Sequence, residues 1–191
     1  MKKKYMALLC LCLMALSALA ISSIEITYKT PTEIETGIYS IPLNTYWCVD
    51  FKPAGGEWQD LGCKHNVFTN AGKNHVMGLL NGTITANEKT TYLALGNTSE
   101  PTASSTTLAG EQTDCGLGRT EGNKYVLGVG NWEVNNTFTY SCSVNRVVNT
   151  TAAFNSAASG TLFAGGTITS VTFTTNGDQV RLRHIYTLSE T

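Results

Sequence analysis

From Asn131 to Val144 the chain alternates. Trp132, Val134, Phe138, Tyr140, Cys142 and Val144 share one face, and Glu133, Asn135, Thr137, Thr139, Ser141 and Ser143 share the other. A period of two marks a strand buried on one side. Farther on, Asn176-Gly177 lies between two β-type runs and predicts a hairpin. The run after it turns Val180, Leu182, Tyr186 and Leu188 inward and Arg181 and Arg183 outward. Between these strands lies a Gly/Ala/Ser-rich crossing, Phe154 to Gly166, with a short strand at Thr161–Ala164.

Upstream, Thr45–Phe51 places Trp47, Val49 and Phe51 on one face and Cys48 on the other, and Pro53-Ala-Gly-Gly reads as a turn. Thr91–Leu95 and Lys124–Val129 are further strands, with Gly128 and Gly130 bending the chain into the alternating core stretch. The segment Thr69–Gly82 differs. It opens on a cap-like Thr-Asn, sets Val76, Leu79 and Leu80 at helical spacing and closes on Asn81-Gly82. One short helix is expected there, with His75 as a half-buried packing residue. A loop from Gly96 carries one turn of helix near Thr107–Glu111. The sum is an all-β fold: a single antiparallel β-sandwich, jelly-roll-like, with one short helix.

The N-terminus adds a processing signal. Lys2-Lys3-Lys4 precede an apolar run from Met6 to Leu19, and Ala18-Leu19-Ala20 has the small-x-small shape of a cleavage site. These features describe a secretory signal peptide over residues 1–20. The run is shorter than the roughly 20 residues that span a bilayer, so no stable membrane anchor is expected after cleavage. The residues before Cys10 fit a lipoprotein site poorly. Next, Ile21, Ile24, Ile26 and Tyr28 read as the apolar positions of an amphipathic strand whose other face holds Glu25, Thr27 and Lys29. Pro31 and Pro42 bracket a linker, so residues 21–43 form a strand and linker and residues 44–191 the sandwich domain. The strand either belongs to its own sheet or completes the sheet of a neighbouring copy.

Charge narrows the function. The net charge is −1 and 14% of residues are charged, which offers no clustered basic face for nucleic acid. Four cysteines remain after processing: Cys48, Cys63, Cys115 and Cys142. An even number in an exported chain reads as disulfides. The local pairing Cys48–Cys63 with Cys115–Cys142 is preferred among the three possible. A metal site built from Cys48, Cys63, His65 and His75 has no recognised zinc spacing. Four Asn-x-[Ser/Thr] sequons occur, at Asn81, Asn97, Asn135 and Asn149. Asn135 lies on the polar face of its strand, where a glycan has room.

No catalytic pattern emerges, and neither a cofactor nor a catalytic residue is expected. There is no Gly-x-Ser-x-Gly elbow and no phosphate-binding loop, and Gly116-Leu-Gly-Arg is too short for a dinucleotide site. Nothing sets two of Glu111, Asp114, Glu121 and Glu133 across a cleft as a glycosidase requires. No spacing gathers Asp50, Asp60, Asp114 or Asp178 around a calcium ion.

The order of several segments resembles a domain of tailed-phage structural proteins. These are Phe68–Val76 with its Thr-Asn-Ala-Gly opening, Thr91–Glu111, Asn136–Tyr140, Ala153–Ala164 and Val171–Leu182. The resemblance spans about Phe68 to Leu188 and implies an assembling structural protein. The signal peptide, cysteines and sequons depart from a cytoplasmically assembled virion part. In plan the chain is similar to secreted donor-strand filament subunits, such as archaeal threads and bundling pili. The expectation is a non-enzymatic extracellular subunit that polymerises with itself head-to-tail through Ile21, Ile24, Ile26 and Tyr28, and that meets neighbouring filaments or cell surfaces. The alternatives are an adhesive or glycan-binding module using Trp58 or Trp132, and a virion or tail component.

Overall fold

The computed structural model describes residues 43–84 and 89–188, all within the compact unit Ser40–Thr191. The signal peptide and the N-terminal strand expected from the sequence lie outside the described residues.

Among the described residues, ten strands form two antiparallel sheets packed as a sandwich. Sheet A runs β2 (Gln59–His65), β1 (Leu43–Lys52), β10 (Gln179–Leu188), β7 (Asn131–Thr139), β6 (Asn123–Gly128). Sheet B runs β3 (Val67–Phe68), β9 (Leu162–Phe173), β8 (Arg146–Phe154), β4 (Tyr92–Gly96), β5 (Thr120–Glu121). The single helix among the described residues, α1 (Asn70–Leu80), follows β3. The inner faces meet in one core containing Trp47, Phe138, Tyr140, Phe173, Leu182 and Tyr186.

Sheet A follows the sequence pattern. Along β10 Val180, Leu182, His184 and Tyr186 are buried, while Arg181 and Arg183 turn outward. Two outward carboxylates are nonetheless buried, because arginines of β10 lie over them. Arg183 bonds Glu133 at 2.9 Å and Arg181 bonds Asp50 at 2.9 Å. Two ends depart from the alternation. β7 stops at Thr139, so Val144 lies beyond the strand and is exposed; Leu188, at the end of β10, is 44% exposed.

Sheet B does not alternate, for a physical reason. A second apolar cluster covers its outer face, in which Leu108 from the 97–119 loop packs on Ala94, Ala152, Phe154 and Leu162. With both faces covered, β8 and β9 carry small residues in place of a clean period. The Gly/Ala/Ser-rich crossing is therefore a hairpin. The short strand expected at Thr161–Ala164 is the start of a twelve-residue β9, and β8 and β2 had no clear signal in the sequence. The loop contains no helical turn at Thr107–Glu111; Glu111 instead forms an isolated bridge with Gly96.

Asn176-Gly177 is also not a hairpin turn. β9 lies in sheet B and β10 in sheet A, so this turn carries the chain between sheets. Gly177 takes φ +97°, a conformation open to glycine. The corner is held by the Asp178 carboxylate, which accepts from the amides of Ala54 (2.9 Å), Thr174 (2.8 Å) and Thr175 (2.9 Å).

The helix starts where the sequence indicates. Thr69 is the N-cap, its Oγ1 accepting from the Gly72 amide at 2.9 Å. Its buried face differs from the expected one: Gly72, His75 and Gly78 are buried, whereas Leu79 and Leu80 are exposed. Gly72 packs directly on the β9 backbone, since a Cβ there would lie 2.0 Å from the Phe163 carbonyl oxygen. His75 is buried, not half-buried, and meets Phe163 edge-on at 6.1 Å.

Candidate functional site: an apolar groove beside an open strand edge

Each sheet ends in two edge strands, and an edge exposes backbone groups able to pair with another chain. Three of the four edges are blunted. β3 and β5 have two residues each. β2 is polar, and its pairing with β1 is interrupted by a register shift between Cys48 and Asp50. The fourth edge, β6, also has a register shift, between Val126 and Gly128, and carries Lys124, but it is apolar from Tyr125 to Leu127. Every residue of Asn123–Gly128 is exposed, including Tyr125 (50%) and Val126 (87%). Val129, just past its end, is fully exposed.

Beside β6 runs an apolar groove. One portion, of about 370 Å³, lies between Tyr125 and Val126 of β6 and Leu79 of the helix, with Trp132 and Val134 beneath. A second, of about 390 Å³, continues past Leu79 and Trp132 to Leu80, Tyr186, Leu188 and Leu43. The unpacked apolar residues of α1 thus form one wall, and the ends of β1, β7 and β10 form the other. Trp132 stacks on Tyr186, ring centroids 4.7 Å apart and planes 5° apart, so Trp132 is half-buried in the groove floor. At the rim Lys124 bonds Glu121 at 2.9 Å and holds that carboxyl below its ordinary range.

The remaining sequence candidates fall elsewhere. Cys48–Cys63 and Cys115–Cys142 are disulfides with Cα separations of 4.0 and 5.2 Å, so neither Cys48 nor Cys63 is available to a metal. Among the described residues no group of three His, Cys, Asp or Glu converges. Asp60 accepts from the Gly62 amide and Asp178 from three amides, while Asp50 and Asp114 are paired with Arg181 and Arg146. The four carboxylates a hydrolase would draw on each face a cation: Glu111–Arg119, Asp114–Arg146, Glu121–Lys124 and Glu133–Arg183. Trp58 is 37% exposed, but the Arg181 guanidinium lies over its ring at 4.9 Å.

Of the sequons, Asn81 and Asn97 are exposed outside regular structure, while Asn135 and Asn149 are partly buried within β7 and β8.

The sequence marks Lys124–Val129 as a strand but does not by itself identify it as an edge. Its lack of inward-outward alternation (Tyr125, Val126 and Leu127 in succession) was the available signal. Compared with known proteins, the chain matches no protein-family model, no curated protein and no solved structure.

Proposed function

We propose that this protein is an exported structural subunit that assembles with copies of itself, head-to-tail, into an extracellular filament. The observation that carries this reading is the β6 edge, which among the described residues exposes Tyr125, Val126 and Leu127 in succession beside an apolar groove, with Lys124 as its one charge. The donated element is Ile21–Thr30. As a strand it would pair with β6 and set Ile24, Ile26 and Tyr28 into the groove. Each such apolar side chain is worth about 1.5–3 kcal/mol when fully buried. Residues 31–42 reach about 40 Å when extended, enough to leave one domain and dock on the next. A contact between two different surfaces that does not close on itself yields a filament. The two disulfides suit an oxidising compartment.

Negative-stain microscopy of the secreted protein at rising concentration is the test. Filaments are expected from the full mature chain and monomers from one lacking residues 21–30 or carrying Val126→Pro. A peptide of sequence Ile21–Thr30 should bind the shortened chain. Filaments that persist without residues 21–30 would overturn the mechanism, and a full chain that stays monomeric would overturn the function.

A further inference from the structure

We infer that in the folded protein Asn81 and Asn97 are the sites of N-glycosylation, and that Asn135 and Asn149 are closed to it. All four match the Asn-x-[Ser/Thr] pattern, three ending in Thr and Asn97 in Ser, so the pattern alone does not separate Asn81 and Asn97 from Asn135 and Asn149.

The chemistry requires a free carboxamide nitrogen and an accessible tripeptide. Nδ2 attacks the anomeric carbon of a lipid-pyrophosphate-linked oligosaccharide. The N–C bond forms, and the C–O bond breaks with its electron pair leaving on the pyrophosphate. The Nδ2 proton passes to a base of the transferase. Afterwards Nδ2 keeps one hydrogen and Oδ1 is unchanged, so a residue that uses only Oδ1 in the fold loses nothing.

Asn81-Gly82-Thr83 meets these conditions. All three residues are exposed, just past the C-terminus of α1. Asn81 engages the fold through Oδ1, which accepts from the Thr83 amide at 3.0 Å and the Thr83 hydroxyl at 2.7 Å. Its Nδ2 makes no hydrogen bond among the described residues. Asn97-Thr98-Ser99 is likewise exposed in a loop. Asn97 Oδ1 lies against Gly110, where a Cβ would come within 2.2 Å of it.

The other two sequons are built into central strands. Asn135 sits in β7 between β10 and β6, and its Nδ2 donates to Glu133 Oε1, whose carboxylate is buried under Arg183. Substitution there would put a sugar on the nitrogen that serves this buried carboxylate. Asn149 sits in β8 at a register shift against β9, and the next two residues, Thr150 and Thr151, are paired with both β9 and β4. Thr150 and Thr151 of its tripeptide are fully buried, and Thr151 Oγ1 donates to the Ala94 carbonyl at 2.8 Å. A central strand opens only with cooperative unfolding, so a transferase cannot take either tripeptide from the native protein.

The test uses the full chain with disulfides formed, incubated with an N-oligosaccharyltransferase and its lipid-linked donor, and site occupancy read by mass spectrometry. Occupancy at Asn81 and Asn97 is expected to exceed that at Asn135 and Asn149 by more than about 100-fold, the suppression that cooperative opening imposes. Reducing and unfolding the chain should bring all four sites into reach. Thr83→Ala should abolish modification at Asn81 alone while leaving Asn97 occupied. Modification of Asn135 or Asn149 in the native protein would overturn the assignment. So would native protein unmodified at both Asn81 and Asn97 when the unfolded chain accepts glycan there. The assay does not depend on polymerisation, so failure of the filament reading leaves this result standing.

Discussion

His184 should make the stability of the sandwich fall steeply between neutral and mildly acidic pH. The imidazole is fully buried, stacked on Trp47 at 3.9 Å and tilted against Tyr186 at 4.1 Å. Asn66 Nδ2 donates to its Nε2 at 2.8 Å, so the ring proton is assigned to Nδ1. Its strand neighbours in register, Trp47 and Val134, are apolar, and the adjacent Arg183 turns to the opposite face. Burial alone pushes the His184 pKa from 6.5 down to about 3. The unfolded chain therefore takes up a proton near 6.5 that the native state refuses until about pH 3. In that interval the unfolded state binds more protons, so stability is full above the unfolded value and is lost as pH falls. The loss approaches about 1.4 kcal/mol per pH unit, with a ceiling of about 5 kcal/mol. Domains of this kind hold only about 5–15 kcal/mol in total.

Urea unfolding of the disulfide-bonded protein, followed by tryptophan fluorescence between about pH 4.5 and 7.5, measures the slope. His184→Gln, which keeps an acceptor for Asn66 Nδ2, is expected to be nearly flat where the wild type declines. The Asp178 carboxyl, though pushed up by burial, is held below its ordinary value by the amides of Thr174, Thr175 and Ala54. Its contribution is lost as pH falls through the ordinary carboxylate range, and because both proteins carry it, it cancels in the comparison. Equal slopes for the two proteins over the window would refute the assignment to His184.

Three further outcomes follow from the packing. Asp178→Ala should cost about 2–4 kcal/mol in chemical denaturation, because three amides at the sheet-crossing corner lose a charged acceptor together. Arg119→Ala should cost about 2–4 kcal/mol, and Arg119→Lys nearly as much. The guanidinium bonds both oxygens of Glu111, donates to the carbonyls of Ser156 and Ser159 and lies 3.4 Å over Phe154; a lysine that restored wild-type stability would count against this account. Gly72→Ala should destabilise despite alanine's advantage of about 1 kcal/mol in helices. The added Cβ would lie 2.0 Å from a backbone oxygen of β9 that cannot yield, and a raised melting temperature would show that the helix does not pack there as described.

Local chemistry made much of this fold legible in the sequence. The alternation of β1, β7 and β10 holds because sheet A has one buried and one outward face. The Thr69 cap was readable because capping is settled within a few residues. The preferred cysteine pairing matches the two disulfides, each closing a local stretch of chain. What depended on distant partners was not readable. The 97–119 loop covers the outer face of sheet B, which erased the period of β8 and β9, hid β8 and left β9 legible only in part. The dipeptide Asn176-Gly177 fixes a tight turn but not whether its two strands pair, and here they lie in different sheets. The helix turned Gly72 onto β9, whose backbone approaches too closely there for a side chain, and Gly78 onto Ile84, while Leu79 and Leu80 were left to wall a groove. That β6 is an edge, and that two of the four sequons are locked in central strands, are facts of strand order. Strand order is set by contacts between residues far apart in the chain, and no local pattern encodes it.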